Sequence, residues 1–176
     1  MKIYSCECKK HSEKSTDDFI ISSLGLYLKE KGEPCGERKI GVYRDQYGKP
    51  HIEGADGIYI SVTHAESLLL VAVAPYEIGI DAESGQRRAV KNPGRIAKRY
   101  FCEDEIAFLG DEPDREEFLC MWVKKEALSK LIGRGVPCMR EMSVFSDKVT
   151  FEKISEYDGY IVYSVRYSEN NKANTI

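Results

Sequence analysis

Residues 68–83 read Leu68-Leu69-Leu70-Val71-Ala72-Val73-Ala74-Pro75-Tyr76-Glu77-Ile78-Gly79-Ile80-Asp81-Ala82-Glu83. The first seven form an unbroken apolar run, which predicts a strand buried on both faces. Pro75-Tyr76 ends it, and residues 78–83 open a second short strand. There the pattern changes. Period two puts Ile78, Ile80 and Ala82 on one face and Asp81 with Glu83 on the other, about 7 Å apart. Carboxylates sharing a strand face repel unless a cation or basic groups lie between them. They mark either a solvated strand end or a site for a hard divalent cation, and Mg²⁺ prefers carboxylate oxygens with retained water.

Outward from this joint the chain divides into two comparable halves. Upstream, residues 1–8 predict a strand. Thr16-Asp17-Asp18 offers capping side chains for a helix over 16–28 that carries Phe19, Ile20, Leu24 and Leu28 and stops near Gly32. Pro34 and Gly36 mark its exit loop. Residues 40–43 read as a strand, 45–50 as a turn and 58–62 as a half-buried strand. Downstream, 84–94 is a loop and 95–109 a helix, broken over 110–113. A long helix spans 115–132, closed by Gly133 and Gly135. Two strands follow, 142–153 with a turn at Ser146-Asp147 and 160–167, before a polar tail from Ser168. Each half supplies a strand, helical material and a pair of strands. The expected class is therefore α+β, with subdomains 1–75 and 76–176, each a small, mainly antiparallel sheet packed on helices.

Composition excludes several function classes. Of 176 residues, 42% are apolar and 31% charged, which suits a globular chain with a core. Lys plus Arg is 26 and Asp plus Glu is 29, a net charge of −3, which is no footprint for a nucleic-acid binder. No apolar run approaches the ~20 residues of a membrane span. The start lacks the apolar core of a signal peptide, so the expected location is the cytoplasm. Six cysteines, at 6, 8, 35, 102, 120 and 138, contain no Cys-x-x-Cys pair. The three histidines, at 11, 51 and 64, lie at no zinc-finger spacing from them, so reduced thiols are expected.

The long helix carries a second anomaly. Its stripe reads Phe118, Met121, Lys125, Leu128, Ile132, one continuous face with a lysine in its middle. Either the stem snorkels to water or the amine is delivered through packed side chains into an anionic pocket. On the second reading a methionine at 125 is expected to pack as well or better, since it fills the same volume without a buried charge. Trp122, Glu126 and Lys130 form an adjacent line at four-residue spacing. Glu126 and Lys130 there read as a surface ion pair or as groups bordering the same pocket.

In order, the chain shows Tyr47-Gly48-Lys49-Pro50, Ile60-Ser61-Val62-Thr63-His64 and Ile78-Gly79-Ile80-Asp81-Ala82-Glu83. It continues with Arg95-Ile96-Ala97-Lys98-Arg99-Tyr100-Phe101 running to Glu105, then Trp122-x-x-Lys125-Glu126-Ala127 with Lys130 and Gly133. Over about residues 40–135 this resembles the 4′-phosphopantetheinyl transferase superfamily, in its pseudo-dimeric, Sfp-type branch. The resemblance implies two α+β halves about a pseudo-twofold axis, with coenzyme A in the cleft between them. Phosphopantetheine would pass from coenzyme A to a serine of an apo acyl or peptidyl carrier protein, releasing adenosine 3′,5′-bisphosphate. It implies a metal site of Asp81, Glu83 and Glu126 for Mg²⁺, or Mn²⁺. Lys125 and Lys130 would neutralise phosphate, Thr63 and His64 would meet the pyrophosphate, and Lys49 with Pro50 would line the adenine end. Glu126 would be the base, directly or through a metal-bound water, with Glu105 as second choice and Lys125 as electrostatic catalyst. A built-in pseudo-dimer implies a monomer, with no nucleic acid or membrane partner.

The chain departs from that pattern in three places. Its N-terminal half is short. The helix over 16–28 has no arginine for the 3′-phosphate, leaving Lys9-Lys10-His11 as the nearest basic cluster. Ala82 stands where a branched aliphatic is commoner. The short half keeps a second reading open, a non-catalytic module of the same fold that binds coenzyme A or a carrier protein. An unrelated Mg²⁺-dependent, pyrophosphatase-like enzyme would need more clustered aspartates.

Overall fold

The structure, a computed structural model, describes residues 1–7, 12–33, 40–87 and 90–169. Lys9-Lys10-His11, Pro34, Gly36, Cys8 and Cys35 lie outside them. The described residues form an α+β fold of eight strands and four α-helices. Strand β1 (Lys2–Glu7) is followed by α1 (Glu13–Glu30) and the hairpin β2 (Gly41–Arg44) and β3 (Pro50–Glu53). Next come β4 (Tyr59–Ala65), β5 (Leu68–Ala74) and β6 (Ile78–Ser84), then α2 (Pro93–Tyr100), α3 (Glu103–Leu109) and α4 (Arg115–Ile132). A 3-10 turn (Val136–Cys138) leads to β7 (Val149–Ile154) and β8 (Tyr160–Tyr167).

Three antiparallel sheets result, ordered β1-β5-β4, β2-β3 and β6-β8-β7. Strand β5 is the apolar run of residues 68–74, and every residue of it is buried. It lies between β1 and β4, pairing Leu70 with Ser5 and with Thr63. On one side Val71 and Val73 meet Ile20, Leu24 and Leu28 of α1. On the other, Leu70, Ala72 and Ala74 meet Ile78, Ile80 and Ala82 of β6, with Val162 of β8. One apolar cluster thus crosses the joint at Pro75-Tyr76.

Polar side chains stitch β4 to β6 across that joint. Ser61 Oγ accepts the Ile80 backbone N–H at 3.0 Å, and the Thr63 hydroxyl donates to Asp81 Oδ1 at 2.9 Å. Helix α4 then covers the other face of β6. A Cβ on Gly79 would lie 2.0 Å from the Ala127 carbonyl oxygen and 2.8 Å from the Leu131 nitrogen, so only glycine admits this approach. Among the described residues no helix is long and apolar enough to cross a membrane.

Three expected boundaries move. The strand read over 142–153 is strand only from Val149 to Ile154, residues 142–148 being turns and bends. The single helix over 95–109 is two helices. Phe101 is extended and fully buried against Phe118 and Trp122, and Cys102 caps a new start. Helix α1 begins at Glu13, because Ser12 and Ser15 form a reciprocal capping box upstream of Thr16.

Candidate active site

Strand β6 leads with its Gly79–Asp81–Glu83 face toward α4. Asp81 is 2% exposed. Its Oδ1 accepts the Thr63 hydroxyl and the Lys130 ammonium, the latter at 2.7 Å. Its Oδ2 is buried with no hydrogen-bond partner. A carboxylate oxygen in that state is expensive unless something positive or a donor reaches it. Glu126 on α4 stands nearby, and its carboxyl is pushed up to about 7, first by burial and then by the Asp81 charge, against the pull of Lys130 and Arg87. Glu83, at the strand's end, pairs with Arg87.

Two carboxylates therefore face the Lys130 charge, Asp81 with an orphaned oxygen and Glu126 driven toward its neutral form by burial and by Asp81, while Glu83 is held by Arg87. All are hard oxygen donors, and a divalent cation between Asp81 and Glu126 would relieve both strains. The orphaned Asp81 oxygen and the Glu126 carboxyl are donors of the kind Mg²⁺ or Mn²⁺ takes.

Beside this cluster runs an open cleft lined by Tyr47, Lys49, Pro50, Ser61, Lys130 and Gly133 among others. The β2–β3 turn delivers the first three. Asp45 Oδ1 accepts the N–H groups of Tyr47 and Lys49, and its other oxygen meets His51 Nε2 at 3.1 Å. Arg44 ties the hairpin to α1 through both oxygens of Asp17. Lys49 crosses the cleft and donates to the Leu131 carbonyl at 3.0 Å, its stem against Gly133. Burial lowers its pKa. His64 is exposed, and strand alternation turns it to the face opposite Thr63.

Lys125 and Glu105 lie elsewhere. Both are 0% exposed, and the ammonium sits 2.9 Å from Glu105 Oε2, 2.9 Å from the Met142 carbonyl and 3.6 Å from Cys102 Sγ. Glu105 also accepts the Cys102 N–H at 2.7 Å and the Val144 N–H at 2.6 Å. The lysine in the stripe neither snorkels nor reaches the cleft. It neutralises a buried carboxylate that caps α3. Cys102, Asp104 and Glu105 do bring ligand atoms within 4.8 Å of one another. The Lys125 cation and the N–H donors already satisfy Glu105, and Asp104 accepts the Ser143 hydroxyl at 2.6 Å, so this cluster is no metal centre.

The structure thus brings Asp81, Lys130 and Thr63 into contact with Glu126 nearby, leaves Glu83 paired with Arg87 at the end of β6, sets Lys49 and Pro50 across the cleft, and separates Lys125 with Glu105. Ser61 and Arg87 join the site without having been singled out. Ser61 was readable as a polar residue on a core-facing strand position, and Arg87 as the basic residue four after Glu83.

A model of the 4′-phosphopantetheinyl transferase superfamily matches residues 77–171, the stretch from β6 to just past β8. The chain belongs to this superfamily. The 4′-phosphopantetheinyl transferase psf-1 of Bacillus pumilus is similar, 32% identical over 92 residues. That match covers 51% of this chain and 38% of the relative, so the chain spans well under two thirds of that relative's length. Within the superfamily's matched stretch fall both carboxylate elements, β6 and α4, and the buried Lys125–Glu105 pair.

Proposed function

We propose that this chain transfers 4′-phosphopantetheine from coenzyme A to a serine of an acyl or peptidyl carrier protein, releasing adenosine 3′,5′-bisphosphate. The observation that carries the reading is the orphaned, buried Asp81 oxygen opposite Glu126, beside a cleft floored by Lys130, in a member of this superfamily. Asp81, Glu83 and Glu126 would hold Mg²⁺ or Mn²⁺, which when bound supplies charge neutralisation to a pyrophosphate.

The chain's own groups do the rest. Lys130 is anchored on Asp81 and brings one positive charge to the phosphate end of the cleft. Tyr47, Lys49 and Pro50 line the opposite wall, where the adenine end would lie. Transfer at phosphorus needs positioning and charge stabilisation more than covalent catalysis, so no enzyme nucleophile is required. Glu126 would take the carrier serine's proton, directly or through water. Glu105, with both oxygens engaged and no access to the cleft, serves with Lys125 as a positioning pair that fixes α3 against α4 one residue before Glu126.

The deciding measurement is the mass of an apo carrier protein after incubation with the chain, coenzyme A and Mg²⁺. Addition of one phosphopantetheine, lost in excess chelator, supports the reading. Calorimetric binding of coenzyme A with no mass gain would establish the non-catalytic module instead.

A further inference from the structure

We propose that Cys102 and Lys125 form an oxidant-sensitive pair, in which a peroxide turns the Cys102 thiol into a sulfenic acid and the Lys125 nitrogen closes on that sulfur. The product is a covalent sulfur–nitrogen bridge between the N-cap of α3 and the middle of α4. It depends on this cluster alone and not on the transferase reading.

Three features of the cluster point there. Sγ and Nζ are already in contact at 3.6 Å. The thiol is partly exposed, so a small oxidant reaches it; burial pushes its pKa up while the Lys125 charge pulls against that, and the amine is fully buried and held in place by the Met142 carbonyl and Glu105. Glu105 Oε2, 2.9 Å from Nζ, is also a proton acceptor at the one atom that must lose a proton. An ammonium has no lone pair, so a proton must pass from Nζ to Glu105 before the nitrogen can close on sulfur.

The chemistry balances without a further reactant. Peroxide oxidises the thiol by two electrons, its O–O bond breaks, and sulfenic acid and one water result. Lys125 passes a proton to Glu105. The nitrogen lone pair then forms the S–N bond as the S–O bond breaks, and the departing hydroxide takes a second proton from nitrogen to leave as water. Overall one thiol, one amine and one hydrogen peroxide give a sulfenamide and two waters. A thiol reductant cleaves the S–N bond and returns both side chains. In the bridged state the Lys125 charge is gone and Glu105 holds the proton, so the buried pair becomes neutral and covalent at once.

The test treats the whole chain with hydrogen peroxide and maps peptides without reduction. The expected result is a linked pair of peptides joining Cys102 to Lys125, lighter by two hydrogens than the sum of the free peptides, with trypsin no longer cutting after Lys125. Dithiothreitol should restore both peptides, and Cys102→Ser should abolish the product. Recovery of Cys102 only as sulfinic acid, or only as a disulfide to another cysteine, would overturn the proposal. Wild-type mapping does not rely on any variant folding. As a second check, Lys125→Arg keeps the cation but offers a guanidinium that stays protonated, so it should give no link at this position. A link from Cys102 to some other nitrogen, formed equally in Lys125→Arg, would also overturn it.

Discussion

Asp81 offers one satisfied oxygen and one orphaned oxygen, and this asymmetry makes its substitution informative. Asn at 81 keeps an acceptor for Thr63 and removes the charge. Asp81→Asn should keep the fold and lose Mg²⁺ binding by titration calorimetry, together with at least about 100-fold in transfer, the scale of a lost electrostatic group. Unchanged Mg²⁺ affinity would remove Asp81 from the metal site. Glu126 makes a prediction about pH in metal-free protein. Its folded pKa, about 7, lies above the ordinary 4.5. Between those values the folded state binds a proton that the unfolded state has released, so stability falls as pH rises through that window. In excess chelator the melting temperature should drop from pH 5 to pH 8, and Glu126→Gln should flatten the drop. Equal slopes in both proteins would show that Glu126 does not titrate this way. Lys125 is the residue where the stripe misleads. A methionine fills its volume, yet it would leave the fully buried Glu105 carboxylate without its cation. Lys125→Met should therefore destabilise by about 3–5 kcal/mol. Adding Glu105→Gln should recover part of that loss in chemical denaturation, since paired groups are not additive. Additive losses would mean the pair is energetically uncoupled.

Strand β6 and helix α4 make one working unit, and Gly79 sets their separation. Gly79→Ala would push backbone against backbone, with no flexible side chain to give way. It should destabilise by about 3 kcal/mol or more, the upper range of overpacking, and should weaken Mg²⁺ binding although residue 79 is no ligand. Normal metal affinity in a folded Gly79→Ala protein would show that the site tolerates a wider gap. At this scale the sequence was most legible where a pattern was local. Strands β5 and β8 and helix α4 fall on the residues their periodicity marks, and β6 adds only Ser84. The carboxylates of β6 and α4 stood out because they broke that periodicity. What was illegible came from distance in sequence. The break between α2 and α3 is made by Phe101 packing on Phe118 and by Glu105 capping from inside, neither visible in the run 95–109. Strand β3 was hidden because it opens on Pro50, at the edge position where proline is tolerated. Lys125 could be singled out as misplaced, but its partner lies twenty residues upstream, so its destination could not be read.

Across the whole molecule, the sheets β1-β5-β4 and β6-β8-β7 meet along β4 and β6, where hydroxyls replace a strand ladder. Ser61→Ala would strand the buried Ile80 N–H and should cost about 1–3 kcal/mol, the usual range for an unpaired buried donor. If the denaturation midpoint did not move, water would have to replace the hydroxyl at that seam. A different consequence follows from the order β6-β8-β7. Among the described residues the strand that bears Asp81 has only β8 as its ladder partner, and 75 residues separate Ser84 from Tyr160. At ordinary ribosomal speeds of about 5–20 residues per second, β6 waits about 4–15 s for that partner during synthesis. At first an apolar strand with an open edge and two like charges must be shielded by β4 and β5, with α4 joining only once residue 132 has been made. Arrested nascent chains should thus carry a protease-sensitive β6 until residue 167 clears the exit tunnel.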